Sequence, residues 1–164
     1  RSDLEGPMPM TENGCEHILS IVDTFTKYPI AAPVKDTTGD IAVQVLVDHV
    51  ITQFGCPVEI LTDAGSAFTS QMYQKFSAAM GIKPPTTAQP KHHQTVGQVE
   101  RFNKTMLEML RKSLAGRPTN EWDQVLQPVL FAYRSTVHAT TRETPFHAMF
   151  GREAIGPVDL MFGP

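Results

Sequence analysis

Cysteine is scarce in this sequence: Cys15 and Cys56 are the only two in 164 residues, and they form no CxxC pair. Neither stands at a metal-ligand spacing from a histidine, which argues against a structural zinc site and favours a reducing compartment. Long apolar runs are also missing. No stretch approaches the roughly 20 residues that span a bilayer, and no signal-peptide pattern opens the chain, so no membrane partner is expected. Internal repeats and low-complexity tracts are absent. A chain of this length can bury one core without covalent staples. It begins at Arg1, almost on top of its first motif, as an excised domain would.

A strong positive charge is lacking too. The formal net charge is −3, which by itself argues against nucleic acid. Its distribution is uneven. Residues 1–63 carry three basic and ten acidic side chains, a balance of −7. Residues 83–118 carry seven basic side chains (Lys83, Lys91, Arg101, Lys104, Arg111, Lys112, Arg117) against Glu100 and Glu108, a balance of +5. Such an excess is either a solvated helix face or a track for a phosphate backbone.

The hydrophobic period predicts the elements. Asn13–Gly14 marks a tight turn after the DLEGPMP segment. HILSIVD at 17–23 is nearly continuous in apolar residues and reads as a strand buried on both faces. YPIAAPV at 28–34 is a third strand whose prolines suit an edge. From Asp40 to Phe54 the period becomes helical, and Gly55 with Pro57 stops it. The strand VEIL at 58–61 leads to Asp63, and a second helix starts near Ser70 and closes at Gly81. A fifth strand is predicted around 82–86. TTAQPKHHQTVG at 86–97 has neither period and reads as a mobile loop, with His92 and His93 exposed in it. A helix follows with Glu100 in its first turn and Val99, Phe102, Met106 and Leu110 inward. The last long helix runs from Trp122 to about Val137, with Pro128 expected to kink or split it. Residues 138–164 read as irregular. The pattern predicts an α/β fold: a five-stranded mixed sheet with helices on both faces. Helical crossovers make strands four and five parallel to strand one, which brings Asp63 to the sheet edge where open sheets bind ligands.

Three carboxylates from different elements can hold divalent metals for phosphodiester chemistry. Asp63 and Glu100 are two of them. Each has a plainer explanation as well, Asp63 in an Asx-turn before Gly65 and Glu100 as a partner of a helix dipole. For the third, Asp23 in SIVDTF is tempting, but its strand runs opposite to the one before Asp63. Asp3 lies on the strand that can run beside it. Asp23 is expected to cap the turn into TFTK instead.

In order along the chain, DLEGPMP, ILSIVDTFTKYP, TDAGSAFTS, GQVERFNKTM, AYRSTVHATT and PFHAMFGRE resemble the catalytic core of retroviral-type integrases, in the branch carried by gypsy-class LTR retrotransposons. The resemblance covers nearly the whole chain. It implies an RNase H-like fold over residues 1–137 with 138–164 as a C-terminal extension of the core. It implies Mg²⁺ or Mn²⁺ in a two-metal site on Asp3, Asp63 and Glu100, and no small-molecule cofactor. The implied substrate is DNA, both element ends and target, and the implied activity is 3′-end processing and strand transfer by a homo-oligomer. An active copy would work on chromosomal DNA in the nucleus. By the same resemblance Ser66, Asn103 and Lys104 approach DNA, with Lys91 in the basic stretch beside them, and Gly97 frees the junction between loop and helix.

Two features depart from the family pattern. The run before the glutamate is His93-Gln94-Thr95-Val96-Gly97, with Val96 where a polar residue is usual, and Ala64 and Ala67 follow Asp63 where polar residues are frequent. The spacing from Asp63 to Glu100 is 36 intervening residues, close to the family's 35. These changes leave room for a domesticated domain that binds DNA or protein without catalysis. A hydrolytic RNase H-like nuclease fits the fold but not the AYRSTVHATT and PFHAMFGRE segments. The accessory zinc-binding and DNA-binding domains of full integrases are not in this stretch of sequence.

Overall fold

The computed structural model describes residues 2–62, 66–83, 92–156 and 161, the side chains of 66 and 92–96 excepted. Asp63 and Lys91, residues 84–86 of the expected fifth strand and the 86–91 part of the expected loop lie outside the described residues.

Three antiparallel strands form the sheet, β1 (Ser2–Glu5), β2 (His17–Val22) and β3 (Pro29–Val34), in the order β1-β2-β3. The hairpin turns where predicted: Gly14 takes a φ of +77° and donates its N–H to the Thr11 carbonyl. β3 is the edge, as its two prolines require, since a proline nitrogen has no proton for a ladder. The register sets Asp3 opposite Ser20 and Glu5 opposite Ile18. Directly opposed residues share a face, so Asp3, Glu5, Ile18, Ser20 and Val22 lie on one side of the sheet.

That side is covered by α5 (His92–Ser113) and α6 (Trp122–Arg134). Ile18 and Val22 pack there with Val99, Phe102, Met106, Leu110, Trp122, Leu126 and Leu130. The other side carries Leu19, Ala32 and Val34 against Val45, Leu46, Phe68 and Tyr73. The helices there are α1 (Gly39–Leu46), α3 (Ser66–Thr69) and α4 (Gln71–Ala79). The alternation along β2 is what a strand buried on both faces needs. α1 continues through a π-helical stretch, Val47–Ile51, into α2 (Thr52–Phe54), so the predicted helix to Phe54 holds with a bulge inside it. Gly39 opens α1 because α4 comes close: a Cβ there would collide with the Ser70 hydroxyl, which caps α4 by accepting from Tyr73 N.

The fourth and fifth strands of the sequence reading are reduced, among the described residues, to two isolated parallel bridges, Ser2 with Thr62 and Glu59 with Lys83. Their direction agrees with the predicted crossovers.

Four expectations are corrected. Residues 92–97 are helical rather than loop, because α5 starts at His92. Glu100 therefore sits in the third turn, beyond the reach of a helix N-terminal dipole, and Gly97 is inside the helix. α6 ends at Arg134, with Val137 exposed, and it runs through Pro128 as one helix. Residues 138–164 include α7 (Pro145–Phe150), which starts with Thr144 accepting from His147 N and Pro145 in the first turn.

Candidate active site

The site grows from one polar position in an apolar stripe. Along α5, Val99, Asn103, Met106 and Leu110 recur at spacings of four, three and four, and all are buried. Asn103 is only 1% exposed. A buried amide needs partners, and it has them on the sheet. Its Oδ1 accepts from the Ser20 hydroxyl at 2.8 Å. Its Nδ2 donates to Asp3 Oδ2 at 3.1 Å and to Glu5 Oε1 at 2.8 Å. The hydroxyl of Ser20 orients the amide, and the amide then holds two carboxylates of β1. Asp3 Oδ1 accepts from Leu4 N at 2.9 Å.

Glu100 lies one turn before Asn103 and is exposed. With Glu5, Lys104, Leu107, Glu108 and Arg111 it lines a cavity of about 310 Å³. Lys104, exposed, also borders a second, adjoining cavity of about 780 Å³. Thr62, which precedes Asp63 in the chain, pairs with Ser2, which precedes Asp3, and Ser2 N donates to the Leu61 carbonyl at 3.0 Å. Asp63 itself is outside the described residues, as is the Ser66 side chain. Among the described residues no group of three His, Cys, Asp or Glu side chains is clustered tightly enough for a metal.

Asp23 stands apart. Its Oδ2 accepts from Phe25 N (3.2 Å), Thr26 N (2.7 Å) and Thr26 Oγ1 (2.8 Å), the Asx-turn predicted from the sequence. Asn103, expected at a DNA surface, is enclosed, and its three side-chain bonds make it a positioning group for Asp3. Glu5 was missed. The signal for it was simple alternation, since residue 5 shares the sheet face of residue 3.

Carboxylate oxygens, as Asp3, Glu5 and Glu100 carry, are the donors that a hard divalent cation takes.

The Integrase core domain family matches residues 6–92. Among curated relatives, the retrovirus-related Pol polyprotein from transposon 412 of Drosophila melanogaster is 29% identical over 150 residues, covering 92% of this chain. The Pro-Pol polyprotein of feline foamy virus is 34% identical over 149 residues, covering 91%. The chain spans 12% of the length of each. In structure it is similar to the simian T-cell lymphotropic virus intasome in complex with PP2A regulatory subunit B56 gamma, with a TM-score of 0.77 and 26% identity, covering 94% of this chain and 55% of that one. It is also similar to the HTLV-2 integrase catalytic core domain in complex with magnesium, trimeric form, with a TM-score of 0.69 and 25% identity, covering 90% and 92%. The fold is thus the RNase H-like fold of integrase catalytic cores. The chain belongs to the integrase core domain family.

Proposed function

We propose that this chain is the catalytic core of a gypsy-class LTR-retrotransposon integrase, carrying out 3′-end processing and strand transfer of DNA with Asp3, Asp63 and Glu100 as metal ligands. The observation that carries the reading is the Asn103 amide, which ties Asp3 on β1 to the helix that bears Glu100. The pairing of Ser2 with Thr62 supports Asp63 as the third ligand. The two parallel bridges support a five-stranded mixed sheet, with 58–62 and 82–83 as its fourth and fifth members.

A divalent cation, Mg²⁺ or Mn²⁺, supplies nucleophile activation and charge neutralisation at such a site. The residues of the chain bind and orient. Asn103 keeps the Asp3 carboxylate aimed while its other oxygen rests on Leu4 N. Glu100 stands on α5, whose Val99, Phe102 and Met106 pack against the sheet. Lys104, one turn further, offers an ammonium to a phosphate, and Ser66 and Lys91 are proposed to lie along the same DNA. Proton transfer by a histidine is not needed, because positioning and electrostatics carry most of a phosphoryl transfer. DNA ends and target, a homo-oligomeric assembly and a nuclear site of action belong to the same proposal, with 1–137 as the core and 138–164 as its extension.

The test uses a labelled branched DNA that mimics a strand-transfer product. The wild-type chain with Mn²⁺ at low salt is expected to reverse strand transfer on it, and Glu100→Gln to lose that activity. A folded, metal-binding wild type that leaves the substrate untouched would favour the domesticated, non-catalytic reading.

A further inference from the structure

Lys27 is an unusual lysine. It is 9% exposed, and it occupies the left-handed region at φ +63° in the β2–β3 turn. Asp23 builds that turn with its three side-chain bonds, and its carbonyl accepts from Lys27 N at 3.0 Å. The Lys27 ammonium donates to the Thr24 carbonyl and to Gln98 Oε1. Both acceptors are neutral, so a buried cation is hydrogen-bonded without a carboxylate on its nitrogen.

Lys27 lines the cavity of about 780 Å³ between the end of β2, α5 and the turn at 138–140. Arg101, Lys104, His138, Gln98 and Thr105 share the lining, and Glu108 is its one acidic member among the described residues. The cations face one another. Burial first, then the charges of Lys27 and Arg101, push the His138 imidazolium below its usual pKa, while burial chiefly lowers Lys27, opposed by Asp23 and aided by Arg101. Concentrated like charge around a cavity is relieved by an anion. Position says which anion. Lys104 and Glu108 border both this cavity and the one that holds Glu100. Gln98 and Arg101, which line the Lys27 cavity, flank Glu100 in sequence, so a polyanion passing Glu100 reaches that cavity around the helix by way of Lys104.

We propose that the cavity formed by Lys27, Gln98, Arg101 and His138 is a phosphate site that holds one backbone phosphate of the DNA strand passing the catalytic carboxylates. This rests on the integrase reading for the nature of the polymer. Arg101, whose Nε donates to the Gly97 carbonyl, offers its two terminal nitrogens, Lys27 a fixed charge, and His138 a neutral or charged donor that adapts to the ligand.

The test compares Lys27→Gln, Arg101→Gln and Arg117→Gln in the intact chain. The last removes the same charge from an exposed position beyond the end of α5. Binding of a labelled branched DNA is measured by fluorescence anisotropy without metal across a salt series, and inorganic phosphate is titrated separately by amide NMR shifts. Loss of one phosphate contact is expected to weaken binding roughly tenfold and to lower the salt slope by about one in the two cavity variants, with Arg117→Gln close to wild type. Arg101 is exposed, so its variant keeps the test valid if Lys27→Gln fails to fold. Equal effects of all three variants would overturn the site, as would tight saturation by inorganic phosphate without any change in DNA affinity. Reversal of strand transfer is read in parallel. Activity with unchanged DNA binding in the variants sinks the phosphate site alone, whereas absent activity with the expected binding losses upholds the site and sinks the catalytic reading.

Discussion

A single buried amide organises the chemistry at the residue scale. Asn103 bonds to Ser20, Asp3 and Glu5 together, so truncating it removes three side-chain hydrogen bonds from a buried polar cluster. Asn103→Ala is expected to lower unfolding free energy by about 2–3 kcal/mol, read by urea denaturation. It is also expected to weaken Mn²⁺ binding, because Asp3 loses its orientation. Full metal affinity in a destabilised variant would mean that the amide serves only the fold. His138 gives a pH signature. Its folded-state pKa lies below the unfolded 6.5, so between those two values the unfolded chain binds more protons and stability falls as pH drops. His138→Gln is expected to lose less stability than wild type from pH 7 to pH 5, measured by Tm. Identical slopes would show the ring to be solvated. Asp3 and Asp23 were distinguishable in the sequence because strand direction decides which edge each carboxylate reaches. The inward turn of Asn103 was legible too, in its register with Val99, Met106 and Leu110. The resemblance to DNA-contacting positions drew attention outward instead.

Among the elements, α5 departs most from expectation. Its first turns, HHQTVG, carry one apolar residue and a glycine, so neither period nor propensity announces a helix. The remainder of the helix, packed on β1 and β2 through Val99, Phe102 and Met106, carries the first turns with it. Local composition cannot report that. Gly97 tests it directly. A Cβ there would meet only the flexible end of Arg101, at 3.9 Å, so Gly97→Ala is expected to stabilise the chain by about 0.5–1 kcal/mol, seen as a raised Tm. Destabilisation would restore the hinge expected from the sequence. Pro128 does not split its helix. α6 buries Trp122, Val125, Leu126, Val129 and Leu130, and that packing outweighs the one backbone bond that a proline nitrogen cannot make. The three antiparallel strands were the most legible part, since Asn13–Gly14, the buried run at 17–22 and the edge prolines each have a local cause.

For the whole molecule, charge and geometry divide the labour. The acidic first 63 residues carry Asp3 and Asp63, and the basic stretch 83–118 carries Glu100 and the cations beside it. Net charge is −3, so DNA affinity of the chain alone is expected to be weak and steeply salt-dependent. Concerted insertion of two DNA ends, which needs several subunits and more DNA-binding surface, is expected to fail with this chain while reversal of strand transfer on one branched substrate succeeds. Efficient concerted insertion would show that the core suffices.

Asp3 on β1 and Glu100 on α5 are proposed to complete a metal site with Asp63. A crystal of the chain grown or soaked with Mn²⁺ and measured at the manganese edge tests it most directly. The anomalous peak is expected between the Asp3 and Glu100 carboxylates, in contact with Asp63, with none at Asp23. Manganese bound at other carboxylates, or an Asp3 carboxylate out of reach of Glu100, would contradict it.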